Sequence, residues 1–189
     1  PQHQPPEGGP EGDGRAAGGA CLRGPAAQRG CRRDGRSAAL PAGRARWRPA
    51  EAFHITLRFV GDVAENVAAD LDAELTTVGS GPIELSLQGV GAFGEGADIH
   101  AVWAGVEENE ALRHLARSCE VAARRAGLKP DTRTYKPHVT LAYLRRPNPA
   151  DVAKWIQENN LLRTEPFRVT SFGLYSSWQS DQGSWYRAG

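Results

Sequence analysis

The sequence predicts an α+β fold, and three features lead to this prediction. Residues 53–59 alternate apolar and polar side chains, as a half-buried strand does. Residues 63–78 carry apolar side chains at four-residue spacing, which is typical of an amphipathic helix. Strand and helix patterns then alternate as far as residue 175. At 189 residues, the chain is expected to form one domain, or one domain with two lobes.

The first 43 residues differ in composition from the rest of the chain. They hold 10 of the 22 glycines and 6 of the 13 prolines, and they contain no Val, Ile, Phe, Tyr or Trp. We do not expect such a composition to build a core. It is typical either of a disordered tail or of a GC-rich coding region read in the wrong frame. We therefore predict a low-complexity segment over 1–43, disordered or mistranslated, and a folded domain over 44–189.

Hydrophobic periodicity, glycines and prolines predict the elements of that domain in order. The strand at 53–59 ends at Gly61, and the helix at 63–78 carries Val67, Leu71 and Leu75 on one face. The remaining predicted elements are strands at 82–88 and 100–106 around a glycine-rich turn at 89–96, a helix at 108–126 that stops at Gly127 and Pro130, a strand at 137–144, a helix at 149–159, a strand at 167–175 and a short strand within 176–189. The glycine-rich turn matches G-x-G-x-x-G but opens no helix, so it does not indicate a dinucleotide site.

Charge, cysteines and hydropathy exclude several classes of protein. The formal net charge of +1 excludes a strongly cationic nucleic-acid coat protein, so any site for a polyanion must be local. No apolar run reaches the length of about 18 residues that suggests a membrane span, and no apolar secretory signal opens the sequence. We therefore expect a cytoplasmic protein. Cys21, Cys31 and Cys119 form no C-x-x-C pair, which argues against a disulfide or a structural zinc.

The sequence H-x-T-L occurs twice, beginning at His54 and at His138, each time with a β-branched residue at x. Residues i and i+2 of a strand project from the same face. His54 and Thr56 therefore point one way, His138 and Thr140 do the same, and the intervening residues point into the core. If the two strands face each other across a cleft, that cleft holds two imidazoles and two hydroxyls.

These groups suit the hydrolysis of a phosphodiester without a metal. The reaction needs a base for the water, an acid for the leaving oxygen and donors for the nonbridging oxygens. Histidine titrates near pH 6.5, so one copy can be neutral while the other is charged. Threonine hydroxyls can donate to phosphoryl oxygens, and Arg58, placed on the face of His54 by strict alternation, would add a charged contact. A metal site is disfavoured, because two histidines without nearby Asp, Glu or Cys fall short of three or four ligands.

The paired motifs and their flanks resemble those of the two-histidine phosphoesterases. The flanks are residues 46–61 around the first motif and 135–142 around the second, with a late F-G-L-Y-S-S strand at 172–177. More narrowly, the chain resembles the RNA 2′,3′-cyclic phosphodiesterases, historically called 2′-5′ RNA ligases. The resemblance implies a two-lobed α+β fold with a pseudo-twofold axis, in which one H-x-T strand from each lobe lines a central cleft. The family's opening strand and helix belong upstream of Arg46.

The resemblance also implies a reaction and roles for the site residues. Such enzymes open a terminal 2′,3′-cyclic phosphate of RNA to a 2′-phosphate, and slowly join or cleave 2′-5′ linkages without ATP. His54 would donate a proton to the leaving 3′-oxygen and His138 would activate water. Tyr143 stands where family members often carry an arginine, which leaves phosphate binding to Arg58 or a shifted arginine. The residues expected to hold the phosphate are Thr56, Thr140 and Arg58. The expected partner is an RNA end, with no metal or other cofactor, and the chain is expected to be a monomer.

Two other functions remain open at this point. A sister two-histidine esterase would act on a small cyclic phosphate, such as a cyclic nucleotide or an ADP-ribose derivative, and substrate competition distinguishes this case. An RNA-end binding module that has lost catalysis would bind cyclic-phosphate RNA without forming product.

Overall fold

The computed structural model describes residues 15–22, 45–180 and 183–188. Within these ranges the chain mixes helices with antiparallel strands, which confirms the predicted α+β class. The strands are β1 (Arg15–Leu22), β2 (Ala45–Trp47), β3 (Ile55–Ala64), β4 (Ile83–Leu85), β5 (Leu87–Phe93), β6 (Ala101–Val106), β7 (His138–Leu144), β8 (Phe167–Val169), β9 (Phe172–Ser180) and β10 (Gly183–Ala188). The helices are α1 (Glu65–Thr76), α2 (Glu110–Arg125) and α3 (Pro149–Asn159).

A single large sheet organises the described part of the chain. It has eight strands in the order β10-β9-β1-β3-β7-β6-β5, with β2 also pairing with β7, while β4 and β8 form a separate two-stranded sheet. The central pair, β3 and β7, is antiparallel and joined through Ile55 and Val139. An antiparallel pair has a local twofold axis between its strands. The halves β3-β1-β9 and β7-β6-β5 extend to either side of that axis, as the predicted pseudo-twofold arrangement requires.

The helices cover the sheet with their apolar faces and begin at side-chain caps where the sequence supplies them. The Asn109 side chain accepts from the Leu112 backbone at the start of α2, and the Asn148 side chain does the same for Ala150 at the start of α3. Helix α2 buries an apolar face against β3 and α1, and the chain turns just beyond its end at Gly127, whose φ is +86°. Its buried residues are Leu112, Leu115, Ala116, Cys119, Ala122 and Ala123.

The glycine-rich stretch at 89–96 differs from the prediction, because most of it is strand. Strand β5 runs on through residue 93, with a register shift between Leu87 and Val90 where it pairs with β6. Gly91 lies opposite Trp103, and a Cβ on Gly91 would stand 2.3 Å from the indole ring. The glycine therefore allows a close approach of the indole to the strand, which is a packing role. The short predicted strand at 82–88 is correspondingly divided between β4 and β5.

Strand β1 lies inside the segment 1–43 that composition separates from the folded domain. It pairs with β3 on one side and with β9 on the other, and Ala20, Cys21 and Leu22 are buried. Small side chains suffice there because the strand is central and its neighbours approach closely. At Gly19, for example, a Cβ would stand 2.8 Å from the carbonyl oxygen of Arg58. A strand upstream of Arg46 is thus present, while the domain boundary at residue 44 stays a prediction.

Within the described ranges, no helix has the length and hydrophobicity needed to cross a membrane. The predicted cytoplasmic location and monomeric state remain predictions. The disorder or mistranslation predicted for 1–43 concerns residues that lie, apart from 15–22, outside the described ranges.

Candidate active site

The two H-x-T motifs meet at the centre of the large sheet. Their middle residues, Ile55 and Val139, form the pair that joins β3 to β7, and both side chains are buried. Because side chains alternate along a strand, the residues on either side of each middle residue project from the opposite face. Those four residues are partly exposed. They are His54, Thr56, His138 and Thr140.

The antiparallel register sets His54 opposite Thr140 and Thr56 opposite His138. The two imidazoles therefore occupy diagonal corners of a four-residue set, and the two hydroxyls occupy the other corners. A small group centred on this set would meet one imidazole from each side. The structure thus brings together the four motif residues that the sequence singled out.

Both imidazoles are oriented by the same kind of hydrogen bond. Nδ1 of His54 lies 2.9 Å from the carbonyl oxygen of Ala52, and Nδ1 of His138 lies 2.7 Å from that of Lys136. A carbonyl oxygen can only accept, so Nδ1 carries the hydrogen in each ring. In the neutral form the lone pair then sits on Nε2, which is the nitrogen that exchanges protons. The repeated bond gives both motifs the same tautomer.

His138 stands in a partly apolar pocket. The Phe93 ring packs against it in a T-shaped arrangement with 4.7 Å between ring centroids, and the Trp103 ring centroid lies at 6.2 Å. Burial lowers the pKa of His138 below its ordinary value, and the hydrogen bond to the Lys136 carbonyl opposes this effect more weakly. The ring is therefore neutral at neutral pH, which is the state in which a general base works.

The two threonine hydroxyls have different neighbours. Thr56 accepts a weak hydrogen bond from the Cys21 thiol, with 3.9 Å between Sγ and Oγ1. Thr140 lies opposite Trp103 in the register of β6 with β7. Each hydroxyl has one hydrogen to donate, as binding of a phosphoryl oxygen would require.

Arg58 lies beside the site, but its guanidinium is engaged by the protein. The residue is 8% exposed. It donates to the carboxylate of Glu120 and to the carbonyl oxygens of Phe59 and Lys129, the last at 2.7 Å. The register of β1 with β3 also shifts between Thr56 and Arg58, so the simple alternation from His54 does not continue to Arg58. A phosphate contact from Arg58 stays a prediction, and it would require this network to open.

A cavity of about 730 Å³ opens from the site along helix α2. His138 and Thr56 line it together with Phe93 and Tyr135. Its lining also includes charged groups and two exposed apolar side chains, Phe59 and Val121. The remaining lining residues are Leu57, Arg58, Arg113, Ala116, Arg117, Glu120, Asp131, Arg133, Thr134 and Lys136.

Two arginines of the segment around β2 lie beside Tyr143, and sequence reasoning missed them as site residues. The guanidinium groups of Arg46 and Arg48 lie 5.8 and 5.5 Å from the centroid of the Tyr143 ring. Arg48 also donates to the Tyr143 hydroxyl at 3.0 Å and to the Ala52 carbonyl at 3.2 Å. That carbonyl is the acceptor for His54. Arg48 therefore places a positive charge next to the first motif, close to the position where family members often carry an arginine.

The detectable signal for these arginines was their spacing. Arg46 and Arg48 are two residues apart, which places both on one face of an extended segment. Tyr135 is a third residue that sequence reasoning left out of the site. Its hydroxyl is buried and has no hydrogen-bond partner among the described residues, although the residue is part of the cavity lining. Burial raises the pKa of Tyr135, so the hydroxyl keeps its proton.

Two H-x-T strands that meet at the centre of an α+β sheet define the site of a two-histidine phosphoesterase. Comparison with known proteins agrees with this class. The family model described as the 2′-5′ RNA ligase superfamily matches residues 26–181. The chain belongs to the 2′-5′ RNA ligase superfamily, which confirms the resemblance found in its motifs.

Curated relatives and solved structures are similar over most of the chain. A protein of Archaeoglobus fulgidus named RNA 2′,3′-cyclic phosphodiesterase is 32% identical over 137 residues, which cover 72% of this chain and 77% of that protein. A protein of the same name from Aeropyrum pernix is 34% identical over 140 residues, covering 72% and 79%. The crystal structure of E. coli LigT complexed with 3′-AMP aligns with a TM-score of 0.71 at 22% identity, covering 93% of this chain and 95% of LigT. That likeness shows the shared fold.

Proposed function

We propose that this chain hydrolyses the terminal 2′,3′-cyclic phosphate of RNA to a 2′-phosphate, by acid–base catalysis between His54 and His138 and without a metal. The observation that carries the proposal is the pairing of the two H-x-T motifs across Ile55 and Val139. Relatives named RNA 2′,3′-cyclic phosphodiesterase support cyclic phosphodiesterase activity.

The diagonal placement of the imidazoles suits an in-line displacement at phosphorus. Neutral His138 takes a proton from water at Nε2, and the water oxygen attacks the phosphorus. The bond from phosphorus to the 3′-oxygen breaks, and protonated His54 supplies the proton that turns this oxygen into a hydroxyl. The product is a 2′-phosphomonoester with a free 3′-hydroxyl. A base and an acid on opposite sides of the phosphate are what such a displacement needs.

Hydroxyl donors and nearby cations would stabilise the charge that develops on the nonbridging oxygens. Thr56 and Thr140 sit at the corners between the imidazoles, where each can donate one hydrogen bond. Positive charge comes from Arg48, which donates to the same carbonyl as His54. Arg58, the arginine selected by sequence reasoning, would contribute directly only after release from Glu120.

The proposal that no metal takes part rests on the side chains that the site contains. Among residues 15–22, 45–180 and 183–188, no three His, Cys, Asp or Glu side chains form a group that could hold a metal ion. The two imidazoles and two hydroxyls suffice for acid–base hydrolysis, because the base, the acid and the donors to the nonbridging oxygens each have their own side chain.

The test incubates the purified protein, in excess EDTA, with a short RNA that ends in a 2′,3′-cyclic phosphate. Phosphorus NMR follows the state of the terminal phosphate. Conversion to a 2′-phosphate is expected, and a 3′-phosphate product would contradict the assigned roles. Loss of turnover in EDTA that returns with added metal would overturn metal independence. Binding of the RNA by a folded protein without conversion would favour the binding module. Turnover of a cyclic mononucleotide or of an ADP-ribose cyclic phosphate, with no turnover of the RNA, would favour the small-molecule esterase.

A further inference from the structure

An exposed aromatic ring lines the cavity that opens from the catalytic site. Phe59 is 55% exposed, and it lines the same cavity as Thr56 and His138. Val121, on helix α2, is 46% exposed and faces the same cavity. Large apolar side chains exposed within a cavity, beside groups that do chemistry, are typical of a ligand subsite.

Phe59 is accompanied by a guanidinium group that the protein holds in place. The Arg133 guanidinium lies 5.8 Å from the centroid of the Phe59 ring. Arg133 also donates twice to Asp131, at 2.9 Å from Nε and 2.7 Å from Nη2. The hydrogen bond from Arg133 lowers the pKa of Asp131 to about 2, so the carboxylate stays charged. The guanidinium lies over the Phe59 ring, and aromatic rings and guanidinium planes are the groups on which unstacked RNA bases stack.

The position of Phe59 along β3 indicates which nucleotide it would meet. It lies three residues beyond Thr56, which is roughly 10 Å at the rise of a strand. Phe93 lies beside the catalytic histidine, with 4.7 Å between its ring centroid and that of His138. The terminal nucleoside carries the cyclic phosphate on its own ribose, so its base would lie near Phe93 when the phosphate is at His138. The base that precedes it would then extend toward Phe59.

We infer that Phe59 and Arg133 bind the nucleobase that precedes the cyclic-phosphate end, so that the cavity favours RNA over cyclic mononucleotides. This inference rests on the proposed function, since it names the substrate class of the same site. Stacking on an aromatic ring accepts every base, so the subsite selects for chain length and not for sequence. A cyclic mononucleotide would leave it empty.

The test compares two substrates, 2′,3′-cyclic AMP and the dinucleotide ApA ending in a 2′,3′-cyclic phosphate. Phe59→Ala removes the ring on which the preceding base would stack, so it is expected to lower the ratio of kcat/KM for the dinucleotide to that for the mononucleotide roughly tenfold. Phe59→Trp should restore the ratio. Leu161→Ala is the matched control, because Leu161 is 91% exposed and lies outside the cavity lining. An unchanged ratio in Phe59→Ala would overturn the inference.

A binding arm separates failure of the subsite from failure of the proposed reaction. Calorimetry measures the affinity for ApA ending in a 2′-phosphate and for adenosine 2′-phosphate, and neither measurement requires turnover. If wild-type protein turns over neither substrate but Phe59→Ala weakens only dinucleotide binding, the subsite stands and the reaction fails. If the reaction proceeds and Phe59→Ala weakens neither ligand, or both equally, the subsite fails. Absence of both turnover and binding in the folded protein overturns both.

Discussion

Replacement of His138 by alanine is the sharpest test of the proposed chemistry. The change removes the Nε2 atom that would accept the proton from water. General base catalysis contributes about 10²–10⁴ in rate, so we expect kcat to fall by that factor, which is roughly 3–5 kcal/mol in barrier height. The fold should survive, because the hydrogen bond lost from Nδ1 to the Lys136 carbonyl is worth only about 1 kcal/mol.

The assay follows initial rates of opening of a cyclic-phosphate RNA over a range of pH. A general base works in its neutral form, so wild-type kcat/KM should rise as pH increases through the pKa of His138. Burial lowers that pKa, which places this limb below the ordinary value of 6.5. In His138→Ala the limb should disappear while the residual rate remains measurable.

His100, which lies just before β6, provides a matched control. Its Nδ1 bonds the Asp98 carbonyl oxygen at 3.0 Å, and its ring stacks on Phe93 at 6.3 Å. His100 thus shares the hydrogen bond and the aromatic neighbour of His138, but it belongs to no H-x-T motif. We expect His100→Ala to keep wild-type turnover. Full activity in His138→Ala, or an equal loss in His100→Ala, would refute the assignment of the base.

Two changes beside the histidines and one in the packing of β5 should have measurable effects. Arg48→Met should lower kcat/KM about tenfold, as measured by initial rates. The change removes a charged hydrogen bond to the carbonyl that orients His54, and such a bond is worth roughly 1.5 kcal/mol. Phe93→Ala should move the acid limb of the pH profile to higher pH, because water then reaches His138 and its lowered pKa returns toward the ordinary value. Gly91→Ala should reduce the free energy of unfolding by about 1–3 kcal/mol in thermal or urea melts, because its Cβ would overlap an indole ring.

Each of these predictions has a control within the same chain. Arg46→Met removes a guanidinium that also lies over Tyr143, so an equal loss of activity would show that Arg48 acts only through the tyrosine ring. If the acid limb of the pH profile of Phe93→Ala lies at the same pH as in the wild type, the aromatic contact does not set the pKa of His138. Gly79→Ala is the control for Gly91, because a Cβ at residue 79 meets nothing within 4 Å. A melt for Gly91→Ala equal to that control would contradict the close packing.

The prediction for Arg58 shows where reasoning from a strand pattern reaches its limit. Strict alternation places Arg58 on the face of His54, but the β1–β3 register shifts before Arg58 is reached. Its guanidinium then donates to Glu120, which is 62 residues away in the sequence. Neither the shift nor the partner leaves a local signal, because both arise from contacts between distant segments.

Composition was similarly misleading for β1. Residues 15–22 contain few of the side chains that usually build a core, yet this strand lies between β3 and β9. Its glycines and alanines allow neighbouring backbones to approach closely, as at Gly19. A count of large apolar residues does not predict this burial, because it is the strands on either side that cover β1.

The sequence by itself determined the α+β class, the helices α1 to α3 and the four residues of the two H-x-T motifs. These features depend on short-range periodicity, in which residues two apart share a strand face and residues four apart share a helix face. Only the tertiary structure decided that Ile55 pairs with Val139, and that Arg48 contacts Tyr143 across 95 residues of sequence. The physical reason is that strand order and side-chain partners depend on how distant segments pack, and a local pattern carries no record of that packing.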